Sequence, residues 1–100
     1  MVKEITLIAI DTTSTDSIGQ IITTEKTSDI MADVSSVSLT EFMSAGQIGL
    51  KPDYRLLVWS YEYNGEPNLI MDEVRYSIYR TYKRPDGRTE LYVERRSGDE

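Results

Sequence analysis

The sequence predicts a mainly β protein: a small antiparallel barrel of about six to seven strands with one short helix at about residues 39–47. Three observations predict it. Short runs rich in Ile, Val, Thr and Tyr alternate in polarity with a period of two. Polar clusters containing Gly, Asp, Asn or Pro separate these runs at regular spacing. Helical spacing of apolar residues occurs once, after a capping signature. Many short strands with one helix fit a sheet that curls on itself, because closure removes exposed sheet edges.

Residues 3–10, rich in Ile and Thr, form the first predicted strand. The cluster from Asp11 to Ser17 reads as a loop, and Ile18 to Thr24 as a second strand with Ile18 and Ile22 on one face. Glu25 to Asp29 reads as a polar turn, and Ile30 to Val37 as a third strand with Ile30, Ala32 and Val34 on one side. The period then changes. Ser38-Leu39-Thr40-Glu41 fits a capping box in which Ser38 and Glu41 exchange hydrogen bonds, and Leu39, Phe42 and Met43 follow at helical spacing. Gly46, Gly49 and Pro52 end the helix.

Tyr54 to Tyr63 is the strongest strand. Leu56 and Val58 lie on one face, and Leu57, Trp59, Tyr61 and Tyr63 on the other, so the pattern predicts a central strand covered on both sides. Asn64-Gly65 is a hairpin signal. A short strand over Asn68 to Met71 and a turn at Asp72-Glu73 follow. Val74 to Lys83 carries Val74, Tyr76, Ile78 and Tyr82 on one predicted face. Pro85-Asp86-Gly87 is a turn, and Arg88 to Arg96 is the last strand with Leu91 and Val93 inward. Eight of the nine aromatics follow residue 50, so the C-terminal hairpins are expected to supply the bulky core material, with Phe42 packing the helix onto the barrel.

One hundred residues make a single domain, 1–100, with a thin core. The chain has neither cysteine nor histidine, which removes disulfides, the thiolate nucleophile, and the commonest general base and metal ligand. No enzyme activity, cofactor or metal is expected. The first ten residues do not read as a signal peptide, and nothing approaches the length of a membrane span, so action inside the cell that makes it is expected. A net charge of −6 argues against general nucleic-acid binding. That charge is uneven: residues 1–50 hold two bases and seven acids, residues 51–100 nine bases and ten acids. The two halves are candidates for opposite sides of a subunit contact.

The individual chemical motifs are weak. Asp11-Thr12-Thr13 resembles an aspartic-protease loop in letters only, since Asp16 in the same polar loop is a poor second carboxylate. Gly46-Gln47-Ile48-Gly49 follows a helix, whereas phosphate-binding glycines precede one. Arg75 to Arg84 interleaves bases and aromatics. On a barrel, Tyr79 and Arg75 offer an alternative reading as a single-stranded nucleic-acid surface, weakened by nearby Asp72, Glu73, Glu90 and Glu94. Leu57, Trp59 and Tyr61 form a possible subunit-contact patch, because a small barrel has only one inside.

The order of segments carries more. A strand and polar loop precede a Ser-x-x-Glu-Phe helix running into Ala45-Gly46-Gln47-Ile48-Gly49-Leu50-Lys51-Pro52. Tyr54-Arg55-Leu56-Leu57-Val58-Trp59, Tyr63-Asn64-Gly65-Glu66, Val74 to Tyr82 and Glu90 to Arg95 follow. This arrangement resembles the phage head–tail joining family, also called head-closure, stopper or head–tail adaptor proteins, over about residues 3–96. The resemblance implies a β-barrel subunit of a ring in the virion neck, which closes the capsid exit after DNA packaging and docks the tail. It implies the portal or adaptor ring, tail proteins and further copies of the chain as partners, with DNA passing nearby and no specific nucleic-acid binding or membrane contact. It places the chain in the host cytoplasm during assembly and then in the neck. The segment that reaches the channel corresponds to about Ser36 to Pro52, containing Ser38, Leu39, Glu41, Phe42, Met43 and Gln47. An acidic channel lining is expected to let DNA slide. A tail-completion protein of similar build is the alternative.

Overall fold

A computed structural model describes residues 1–15, 19 and 21–95, with the side chains of residues 10–15 and 21–24 outside the description. Six antiparallel strands close into a barrel in the order β1-β2-β3-β6-β5-β4. They are β1 (Val2–Thr15), β2 (Ile21–Ser35), β3 (Pro52–Trp59), β4 (Asn68–Met71), β5 (Val74–Lys83) and β6 (Arg88–Arg95). One helix, α1 (Leu39–Gly46), joins β2 to β3.

The inward faces follow the alternation in the sequence. Ile5 and Leu7 of β1, Ile30, Ala32 and Val34 of β2, Leu56 and Val58 of β3, and Leu91 and Val93 of β6 meet Leu69, Met71 and Tyr76 in one core. Apart from Tyr76, this core is aliphatic, so the expectation of an aromatic core is corrected. Most rings lie on the outer face, where a phenol or indole edge can reach water or a charged partner.

The second and third predicted strands are one element. β2 runs without a break through Glu25–Asp29, where the sequence predicts a turn, and pairs with β1 from Val2↔Asp33 to Thr15↔Ile21. These polar residues form strand because the hairpin outruns the barrel. β3 pairs with β2 only at Asp33–Ser35, and β4 with β1 only at Thr6–Ile8. Over Glu25–Asp29 β2 keeps its pairing with β1 but has no strand on its other edge among the described residues, so period-two burial is not required of it. Residues 25–29 are all exposed. The ribbon also extends the first strand through much of the predicted loop; Ile18 lies outside the described residues, as do Arg96 and the tail.

β3 stops at Trp59. A 3-10 turn, Ser60–Glu62, follows and breaks the alternation, so Tyr63 packs against the core while Tyr61 is 77% exposed. The two-sided covering predicted for this strand is therefore wrong: Leu56 and Val58 are buried, Leu57 is half-buried and Trp59 is exposed. Asn64-Gly65 lies in an irregular crossing and forms no hairpin, because β3 and β4 are not neighbours. The crossing is held locally. The Asn64 amide donates to Oε1 of buried Glu66 at 2.6 Å, and the Tyr63 hydroxyl donates to the Glu66 carbonyl at 2.9 Å.

The turns at 72–73 and 85–87 form as predicted. Asp72 and Glu73 both have positive φ, 51° and 68°, the conformation a two-residue hairpin favours. In β5 the register against β6 shifts between Ile78 and Arg80. This one-residue bulge at Tyr79 moves everything beyond it to the opposite face. Tyr82, predicted inward, is therefore exposed.

Candidate interaction surfaces

Helix α1 lies on the outside of the barrel. Ser38 caps it, its hydroxyl accepting the Glu41 amide at 3.1 Å. The reciprocal half of the predicted box is absent. The Glu41 carboxylate turns instead to β5, accepting the Tyr79 hydroxyl at 2.8 Å and the Arg80 guanidinium. Ala45, one turn further on, is buried. Burial by itself would raise the Glu41 carboxyl; the hydrogen bonds from Arg80 and Tyr79, with the Arg80 charge, more than offset it and hold the group below the usual carboxylate range. Burial and the Glu41 carboxylate push the Tyr79 phenol well above its ordinary value.

The same cluster covers the outer face of β6. The Arg80 guanidinium sits 4.0 Å from the centre of the Tyr92 ring, a cation–π contact. The Tyr79 ring lies tilted with its centre 6.4 Å from that of Tyr92, and the Tyr92 hydroxyl donates to Glu90 at 2.5 Å. Tyr92 is thereby buried outside the barrel. Its role was not legible in the strand pattern, since it depends on the bulge that brings Arg80 opposite it.

What the helix leaves in water is its apolar side. Leu39, Phe42 and Met43 are exposed, Phe42 to 52%. Phe42 therefore does not dock the helix, which corrects that expectation; Glu41 and Ala45 do. Gln47 is the exposed C-cap, its amide donating to the Ala45 and Met43 carbonyls. Of the residues predicted to reach the channel, Ser38, Leu39, Phe42, Met43 and Gln47 thus lie on or beside the free side of α1, and Glu41 on the barrel side. Because Glu41 is bonded to Arg80, and Lys51 is the other charged residue between Ser36 and Pro52, this segment offers no acidic lining.

A second apolar surface lies on the outer face of β2 and β3. Trp59 stacks on Tyr61 with ring centres 6.4 Å apart, and Arg88 lies 5.4 Å from the Trp59 ring. Beside them a groove of about 200 Å³ is lined by Val2, Met31, Leu57, Trp59 and Arg88, among others. Leu57 forms part of its floor and is half-buried. The predicted contact patch is thus brought together on one surface, with Met31 and Val2 added by the register of the sheet.

Tyr79 and Arg75, the pair considered for nucleic acid, are engaged within the chain: Tyr79 with Glu41, and Arg75 with Glu25 at 3.1 Å. Among the described residues no three His, Cys, Asp or Glu side chains gather as a metal site, and no helix is long and apolar enough to cross a membrane. No protein-family model matches the chain, and no curated protein matches it.

Proposed function

We propose that this chain is a non-enzymatic structural subunit of the neck of a tailed phage. It works in a ring that closes the capsid exit after DNA packaging and docks the tail, with the portal or adaptor ring and tail proteins as neighbours. The observation that carries the reading is the orientation of α1. The segment that the family resemblance assigns to the channel turns its carboxylate to the barrel and its apolar side chains to solvent. An apolar helical face of that kind suits contact with another protein. Its tether also suits a gate. A charge-assisted hydrogen bond contributes about 1.5–3 kcal/mol, small enough for a segment with two arrangements of similar energy.

Electron microscopy of particles from a phage or prophage lacking this gene tests the reading. DNA-free or leaking heads beside intact free tails are expected. Normal infectious particles would remove it, and tails of wrong length would move the chain to tail completion. Phe42→Asp isolates the helix: the variant is expected to fold as the parent does and to lose joining. Joining that survives in this variant would take the contact away from α1. With Tyr79 and Arg75 engaged, no salt-sensitive shift of a single-stranded oligonucleotide is expected.

A further inference from the structure

Beyond the closed barrel several stretches of strand edge are open; one is the edge of β1 after Ile8, and two others differ in charge. The outer edge of β2 over Glu25–Ala32 pairs with no strand among the described residues, since β3 meets β2 only at Asp33–Ser35. The outer edge of β5 over Tyr79–Lys83 is likewise free, since β4 pairs with it only over Val74–Ser77. Open edges present backbone donors and acceptors that can pair with another chain.

The two edges carry opposite charge: Glu25, Lys26 and Asp29 leave the β2 stretch one net negative charge, Arg80 and Lys83 give the β5 stretch two positive ones, and the sequence around each differs in the same sense. The β1–β2 hairpin, residues 2–35, holds six acids and two bases; the β5–β6 hairpin, residues 74–95, holds six bases and three acids. Net charges of −4 and +3 follow, on a chain of net −6. Two ribbons meeting each other repel, as do two β5–β6 hairpins, whereas a ribbon and a β5–β6 hairpin attract. Within one copy the same attraction already joins Arg75 of β5 to Glu25 of β2.

We propose that copies of this chain associate head to tail, the β2 edge of the acidic ribbon on one copy lying along the β5 edge of the basic hairpin on the next. The inference rests on the ring reading above and names the surfaces that would build the ring. Because the two patches differ, the contact is heterologous, the kind that propagates around a ring and closes when its rotation allows. A two-stranded ribbon is marginal in water by itself, and a third strand along its edge would stabilise it.

Asp29 and Lys83 test the contact. Each is exposed on one of the two edges, and among the described residues neither forms an ion pair within the chain. Sedimentation of the purified full chain at up to millimolar concentration is expected to show association at low salt that fades as salt rises. Asp29→Lys and Lys83→Glu are each expected to weaken it about three- to tenfold. An equimolar mixture of the two variants is expected to associate more than either alone, because the unaltered ribbon of the Lys83→Glu chain then meets the unaltered hairpin of the Asp29→Lys chain. No association, association indifferent to both reversals, or a mixture no better than either variant would overturn the proposal. The result is independent of the particle experiment. Charge-dependent association alongside normal deletion particles would keep this contact and remove the neck reading; leaking heads with no such association would do the reverse.

Discussion

The interior of the barrel and the helix on its outside are assembled on opposite terms. Inside, Leu7, Leu56, Leu69, Leu91 and Val93 are fully enclosed, and apolar burial secures the wall. On α1 the large apolar side chains are the ones left in water, while the carboxylate of Glu41 is covered and bonded. The wall is held by many small contributions that fail together. The helix is held by a few polar ones that can fail alone. A domain can therefore be cooperative in its barrel and still carry a segment that detaches at modest cost.

The largest effect is expected where the wall is broken. Leu91→Ala removes a fully buried side chain and should cost about 2–5 kcal/mol, lowering the melting temperature by roughly 10 °C or more. Leu39→Ala, on the free side of α1, should stay within about 0.5 kcal/mol. Equal losses at the two positions, read by thermal or urea denaturation, would erase the contrast.

Glu41→Gln sharpens it. Loss of the charged acceptor should weaken helix docking by about 1–2 kcal/mol, which speeds amide exchange in α1 roughly 5- to 30-fold. Exchange in β6 should hardly change. Uniform acceleration across the chain would show that the helix and the wall open as one unit.

Acid should produce the same separation. The Glu41 carboxyl is lower in the folded chain than its ordinary 4.5, so its contribution is complete above that value and is lost as pH falls through the lowered one. Protection of the α1 amides from exchange is expected to fall as pH drops below that ordinary value, ahead of the β6 amides, and Glu41→Gln should abolish that difference. Tyr79 bounds the other side. Its folded value is raised, so its share is present below 10 and is lost as pH climbs through the raised value.

The smallest change is a gain in the wall. Glu73 has a positive φ of 68°, which costs a side chain that glycine lacks. Glu73→Gly, giving Asp-Gly at the hairpin, should stabilise the barrel by about 0.5–1 kcal/mol without altering exchange in α1. A loss of stability there would mean that the Glu73 side chain makes a contact that outweighs its backbone cost.

Several features were legible because they are local. Ser38 can cap only the helix that follows it. Leu56 with Val58, and Leu91 with Val93, mark inward faces because side chains on a strand alternate. The turns at 72–73 and 85–87 follow from short-range chemistry. An apolar outer surface at Leu57, Trp59 and Tyr61 could be expected because apolar residues occurred on both faces of a strand whose barrel has one interior.

Other features were settled by tertiary structure alone. The polar run Glu25–Asp29 is strand because β1 pairs with it along its length, and no periodicity marks a strand whose other edge is uncovered. Tyr82 is outside because the bulge at Tyr79 shifts register against β6, a property of the pair of strands. Glu41 leaves its capping position for Tyr79 and Arg80, 38 and 39 residues away. That choice depends on barrel closure placing β5 beneath the helix. By itself the sequence determined which short segments form strand, turn and helix and which faces of them are apolar, because those preferences act over a few residues. Which strands meet, in what register, and which apolar faces remain uncovered were decided only by the tertiary structure, because pairing and burial are relations between segments far apart in the chain.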